Sequence, residues 1–269
     1  MAQQLATNVS VFNNCRISVD SMGRLYVPDL NAGKIRRYQS DLAAYEEMSL
    51  STAYSAGSLD ADRLGNVYVK NMDSCQIVEF DTLNNPYTNW MSCGYGIGFG
   101  TSFGDVAVDN SNPAKVYVVD WNQGRVQSFK HNSATPTTMD FVTMWDLSVS
   151  NIHFGIMTDA AGLVYIAAGS QILVYQVSGT TASLVSGSPW DASAVGGADD
   201  IAFDGHGHLF TTSTSTRTIA IWNLSGQVLC TGIGSGILTA PDGIAVGPSG
   251  EILVSDSNGA NVHKFVGCP

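Results

Sequence analysis

Two aspartates, Asp199 and Asp242, one histidine, His153, and three aromatic residues, Trp121, Phe154 and Trp190, are the side chains whose types and positions could do chemistry in this sequence. Paired carboxylates hold divalent cations such as Ca²⁺, which takes oxygen ligands. A histidine beside an acid acts as a base near neutral pH, so His153 next to Asp199 is the candidate base. Exposed aromatic rings stack on sugars or attract cationic groups. These residues support two expectations: a surface that binds a peptide, glycan or protein, or a metal-assisted hydrolase or lyase with Asp199 and Asp242 as metal ligands. The two differ in whether a stoichiometric divalent ion is bound and lost with Asp242.

Other motifs lack the surroundings their chemistry needs. Gly100–Gly104 fits G-x-S-x-G, but a nucleophile elbow requires a strand before it and a helix after it. Here a glycine-rich loop, Gly94–Gly100, precedes it and a strand follows, so the segment reads as an irregular loop. Asp60–Gly65 approaches a calcium loop, yet Leu64 offers no oxygen where one is needed before the glycine. His206 and His208 flank a turn glycine and read as solvated.

The candidate residues can meet only if the chain brings distant segments together, and repeats supply the means. A short apolar strand, a turn and a second strand recur six times, the turn opened by aspartate in five copies and containing glycine in five. They read ISVDSMGRLYV (17–27), LDADRLGNVYV (59–69), VAVDNSNPAKVYV (106–118), IMTDAAGLVYI (156–166), IAFDGHGHLFT (201–211) and IAVGPSGEILV (244–254). The aromatic or equivalent position falls at Tyr26, Tyr68, Tyr117, Tyr165, Phe210 and Leu253, at intervals of 42 to 49 residues. A third strand follows each pair, as in KIRRYQ (34–39) and TIAIWN (218–223), and a looser fourth follows most of them. Four short strands per repeat at this period describe propeller blades. Asp20, Asp62, Asp109, Asp159 and Asp204 open turns and take backbone N–H bonds there, rather than forming a metal row.

The best copies are DGIAVGPSGEILVSDSNGANVHKF (242–265) and GDVAVDNSNPAKVYVVDWNQGRVQSF (104–129). These motifs resemble the NHL repeat family along essentially the whole chain. The resemblance implies an all-β, six-bladed β-propeller in one domain. Its blades fall at about 14–55, 56–95, 103–150, 153–190, 198–236 and 241–267, with the alternating segment 6–12 completing the last blade and removing its open edge. NHL-like propellers serve as scaffolds and as enzymes, so the fold leaves function open. In gluconolactonase-like propellers a glutamate at the first inner strand binds metal. This sequence has Asn13-Asn14-Cys15-Arg16 there, and its only glutamates are Glu46, Glu47, Glu79 and Glu251. Peptide-amidating lyases of similar architecture use several histidines for zinc, and only His153 sits near the expected mouth.

Aligning the repeats puts Cys15, Gly57, Gly104, Phe154, Asp199 and Asp242 at the entries to the innermost strands, around one mouth of the central channel. Trp121 lies in a turn on the same face, and Trp190 in the loop entering the fifth blade. Mouths with convergent polar groups are the default ligand sites.

The net charge of −11 disfavours nucleic acid and anionic lipid as partners. No run of about 20 apolar residues is present to insert in a membrane. The first residues show neither a basic region nor a long apolar segment. Five cysteines show no zinc spacing. Cys75 and Cys93 should face each other at the open end of a hairpin turning at Asn84-Asn85, within reach of a disulfide. Cys15 and Cys268 form a second candidate pair, and Cys230 reads as core. An oxidised Cys75–Cys93 pair would favour an extracellular or periplasmic setting.

Overall fold

The computed structural model describes residues 3–6, 16–29, 33–49, 56–71, 74–100, 103–109, 114–149, 154–258 and 261–267. Six four-stranded antiparallel sheets form a ring, a six-bladed β-propeller. The innermost strands are Ser18–Val19, Ala56–Ala61, Phe103–Asp109, Phe154–Thr158, Asp200–Phe203 and Pro241–Val246. Each blade then runs outward through second, third and outer strands. In blade 3 these are Lys115–Asp120, Arg125–His131 and Met139–Asp146.

The ring is held by six apolar clusters, one at each blade-to-blade contact. Ile17, Leu25 and Val27 of blade 1 pack against Ala245, Leu253 and Val262 of blade 6, which closes the circle. Tyr26 and Leu59 join blades 1 and 2, and Tyr165 and Ile201 join blades 4 and 5. Strand residues alternate between the two faces of a sheet, and here both faces meet a neighbouring blade. That is why the second strands read as nearly continuous apolar runs such as VYVVD.

Closure comes from Gln3–Ala6, which pairs antiparallel with Asn261–Phe265, Gln3 opposite Lys264. The closing strand therefore starts before the 6–12 segment expected from the alternating pattern. Ala6 of that segment belongs to the strand, and Thr7–Phe12 lie outside the described residues. No described helix is long and apolar enough to cross a membrane.

The recurrent aspartates hold turns. Asp20 Oδ1 accepts from the N–H groups of Met22 and Arg24 at 2.9 and 3.0 Å, and Asp159 Oδ1 accepts from Ala161 and Leu163 at 2.9 Å each. The second carboxylate oxygen takes the hydroxyl of the repeat tyrosine, Tyr26 or Tyr165, at 3.0 Å in both blades. In blades 1 and 4 the aspartate and the tyrosine six residues on are one structural unit, whereas in blade 2 the Tyr68 hydroxyl goes to Glu79.

Cys75 and Cys93 form a disulfide with their Cα atoms 5.1 Å apart. The hairpin turns through Asp81–Asn85, where Asp81 Oδ1 accepts from Leu83 and Asn85 N–H. Cys230, assigned to the core from sequence, is instead half-buried and disulfide-bonded, and its partner lies outside the described residues. Its strand, Val228–Ile233, is the outermost of blade 5, where one face meets solvent rather than a neighbouring sheet. Cys15 and Cys268 are both outside the described residues.

Candidate functional site

The channel is crossed by a layer of charge. Arg16, 4% exposed, enters it just before the first inner strand. Its Nη1 donates to Asp105 Oδ2 at 2.9 Å and to the Val106 carbonyl at 3.2 Å, and it also reaches the Ile156 carbonyl. Asp105 Oδ2 accepts the Ile156 N–H at 3.0 Å, which ties blade 3 to blade 4. Asp200 makes the equivalent tie between blades 5 and 6, its Oδ2 accepting the Ile244 N–H at 2.8 Å. Asp60 does so between blades 2 and 3, accepting from Val108 N–H at 2.9 Å and from Ser18 Oγ at 2.6 Å.

Two acids of the layer, Asp105 and Asp200, differ in electrostatic support. Burial raises the Asp105 carboxyl, against the pull of Arg16 and of two backbone N–H groups. Burial pushes Asp200 up to about 7, with Arg16 opposing and the Asp105 charge adding to the rise. Asp200 Oδ1 is buried and accepts no hydrogen bond. Gly155 makes room for it, since a Cβ there would lie 2.4 Å from that oxygen. Burial lowers the Arg16 pKa, but Asp105, Asp60 and Asp200 together raise it more, so the guanidinium stays charged. Beyond the layer the channel opens into a cavity of about 270 Å³, lined by Arg16, Ser18, Asp60, Thr158 and Ile244 among others.

The expected mouth residues meet only partly. Asp199 and Asp242 are neighbours through Thr212: Asp199 N–H donates to the Thr212 carbonyl at 2.9 Å, and Thr212 Oγ1 donates to the Asp242 carbonyl at 3.1 Å. The Asp199 carboxylate turns to Thr214 of its own blade, accepting from its N–H at 2.6 Å and its hydroxyl at 2.7 Å. No three His, Cys, Asp or Glu side chains among the described residues are grouped as a metal centre requires. Trp121 lies over the inner-strand entry of blade 3, so close to Gly104 that a Cβ there would sit 1.7 Å from Nε1. Lys70 of blade 2 stands 5.6 Å from its ring centroid.

Trp190 is not at the mouth. It is 7% exposed and packs 5.8 Å from Tyr165 in the core between blades 4 and 5. Its short strand pairs with Ile172 of the third strand, which turns the ring inward. Phe154 opens the inner strand of blade 4 opposite Ala168. His153 lies outside the described residues.

The glycine-rich loop entering blade 3 is held at many points. Arg125 Nη1 donates to the Tyr95 carbonyl and Nη2 to the Gly96 carbonyl, each at 3.0 Å, while Nε faces Asp120 Oδ2 at 3.3 Å. Gln127 Oε1 accepts the Gly98 N–H at 2.8 Å. Ser92 and Cys93 pair in parallel with Phe99 and Gly100, and the disulfide ties Cys93 to the turn of blade 2. On this frame Tyr95 is 75% exposed and Ile97 54% exposed. Met144, a further exposed apolar side chain, touches the same guanidinium through its sulfur. Sequence reading missed this site because its anchors, Asp120, Arg125 and Gln127, belong to the strands of the next blade.

No family model and no curated protein matches the sequence. Solved structures of propellers do. Virginiamycin B lyase from Staphylococcus aureus is 12% identical with a TM-score of 0.67, over 100% of this chain and 99% of that one. A gluconolactonase from Xanthomonas campestris is 10% identical with a TM-score of 0.69, over 98% and 88%. A chain of a nidogen/laminin complex is 17% identical with a TM-score of 0.65, over 87% and 84%. At these identities the likeness is one of fold, and the chain is similar to enzymes and to members of protein complexes alike.

Proposed function

We infer that the protein is a binding scaffold for a protein or peptide ligand, which docks on the face bearing the Tyr95–Ile97 loop and Trp121. The observation that carries this reading is the exposure of Tyr95 and Ile97 on a loop held by a buried Asp120–Arg125 pair. Apolar side chains held out in water have no stabilising role of their own. Aromatic anchors on a pre-organised frame, by contrast, bind with little ordering cost. The protein complexes among the similar folds are compatible with this reading. The disulfides at Cys75–Cys93 and Cys230 support an extracellular or periplasmic setting. Neither the glycan reading nor the hydrolase or lyase reading has a comparable observation. The carboxylate of Asp199 accepts from Thr214, and Lys70 stands 5.6 Å from the Trp121 ring centroid.

The test is affinity capture from the source organism with the immobilised chain, comparing wild type, a Tyr95→Ser/Ile97→Ser double variant, and Leu224→Ser on the opposite face. The reading expects one or more proteins retained by wild type and Leu224→Ser and lost with the double variant. Equal capture by all three, or none by wild type, contradicts it.

A further inference from the structure

On the face away from that loop, blades 2 and 3 enclose a cavity of about 220 Å³ lined by Asn66, Glu79, Asp81, Tyr87 and His131. Glu79 is 3% exposed, an ionisable group taken out of water in the middle of a third strand. Its Oε1 accepts the Tyr68 hydroxyl at 3.1 Å. Its Oε2 faces His131 Nε2 at 3.2 Å across the blade interface and has no other donor among the described residues, while the Tyr68 hydroxyl also lies 3.4 Å from that nitrogen. His131 Nδ1 lies 2.7 Å from the Pro136 carbonyl, which can only accept, so Nδ1 carries a proton. Nε2 then pairs with Glu79 only when the ring is an imidazolium. With the ring neutral, a buried carboxylate oxygen is left facing the cavity without a donor, an arrangement that is strongly unfavourable.

The remaining wall is an acid, an aromatic ring and an amide, Asp81, Tyr87 and Asn66. Asp81 is ionised at neutral pH, because backbone and side-chain hydrogen bonds from Asn85 hold its carboxyl below the usual range. Asp62 is bound by Asn66 Nδ2 at 2.8 Å. On blade 3, Asp140 is held by Asn132 Nδ2. The Tyr87 ring stands edge-on to His131 at 6.1 Å and is 40% exposed. Two carboxylates beside an aromatic ring suit a positive charge. A volume below the range of drug-sized pockets suits one side-chain-sized group. The aromatic ring beside the carboxylates and the size of the cavity fit an organic cation.

We propose that this cavity binds a single alkylammonium or guanidinium group, with Glu79 as its counter-ion and His131 as a built-in competitor for the same carboxylate oxygen. The ligand displaces the imidazolium from Glu79, so binding releases the His131 proton. The hydrogen bond to Glu79 raises the His131 pKa above its ordinary value. Affinity is therefore low in acid, rises as pH climbs to that raised value, and is flat above it. If one proton leaves per ligand bound, the rise approaches tenfold per pH unit. The site lies on the face opposite the Tyr95 loop, so it stands or falls independently of the scaffold reading.

The experiment titrates butylammonium chloride, and separately an acetylated and amidated Gly-Lys-Gly peptide, into the intact protein from pH 5 to 8.5. Binding is followed by the ring ¹⁵N shifts of His131 and by calorimetry. Saturable binding of either probe, with affinity rising through the His131 titration and a His131 pKa lowered at saturation, supports the proposal. Binding of butylammonium points to free amines, and binding of the peptide alone points to a lysyl side chain of a partner. Glu79→Gln should weaken binding at least tenfold. His131→Gln should bind with no pH dependence between pH 5 and 8, and it decides the matter even if Glu79→Gln folds poorly. Absence of saturable binding of both probes at pH 8.5, an unmoved His131 titration, or an unchanged pH profile in His131→Gln would overturn it.

Discussion

Arg125 donates to the Tyr95 carbonyl at 3.0 Å from a position 5% exposed, and the carboxylate behind it, Asp120, is fully buried. A buried ion pair is a poor source of stability, because desolvating two charges offsets their attraction. Here it fixes the shape of a surface loop. Removing the guanidinium should therefore release the loop as well as weaken the fold. Arg125→Met is expected to cost about 3–5 kcal/mol, the usual effect of leaving one buried charge without its partner. Amide exchange at Tyr95–Gly98 should accelerate at least tenfold beyond the loss of global stability. Hydrogen-exchange mass spectrometry at matched folded fraction checks this.

The disulfide shares that task. Cys75 and Cys93 are separated by 18 positions, a loop whose closure is worth about 3 kcal/mol in the chain-entropy account. A Cys75→Ala/Cys93→Ala variant should lose about that much in urea unfolding at neutral pH. It should keep the blade 2 hairpin, which Asp81 and its turn bonds also hold.

Asp200 gives the channel a pH dependence of definite sign. Its carboxyl titrates at about 7 in the folded chain, against about 3.9 when unfolded. Between those values the folded chain keeps a proton that the unfolded chain has released. This contribution to stability is thus complete below about pH 4, declines as pH rises, and is gone above about pH 7. Asp200→Asn keeps an acceptor for the Ile244 N–H and has no proton to lose. Its stability relative to wild type should rise between pH 4.5 and pH 8, as read from urea midpoints at the two pH values. A constant difference would place the proton elsewhere.

Gly104 tests the seat of Trp121. A Cβ at Gly104 would fall 1.7 Å from the indole nitrogen. Gly104→Ala must displace the ring and is expected to cost about 1–3 kcal/mol, as overpacking does. Tryptophan emission should shift to longer wavelength, whereas Gly267→Ala, whose Cβ would meet nothing nearer than 3.9 Å, should leave emission unchanged.

The ring was legible in the sequence because each blade repeats the same local unit. Asp20 with Tyr26 and Asp159 with Tyr165 are hydrogen-bonded pairs six residues apart, and a fixed local spacing leaves a trace in the sequence. The Cys75–Cys93 pair was legible for the same reason, being set by one hairpin. That the closing strand includes Gln3–Ala6 was not legible, because those four residues carry no alternation. The charged layer was missed by one position. The register drawn through Asp199 and Asp242 is adjacent to the one that holds Arg16, Asp105 and Asp200, and successive strand residues point to opposite sides. Glu79 with His131, and Tyr95 with Arg125, join different repeats through contacts that no spacing within a repeat encodes.

The most direct measurement of the docking account is site-specific photocrosslinking in the source organism. A photoreactive residue would replace Tyr95 in one protein and Leu224, exposed on the opposite face, in another. The account predicts a discrete protein adduct at position 95 and none at position 224. Adducts at 224 alone, or at neither position, would contradict it.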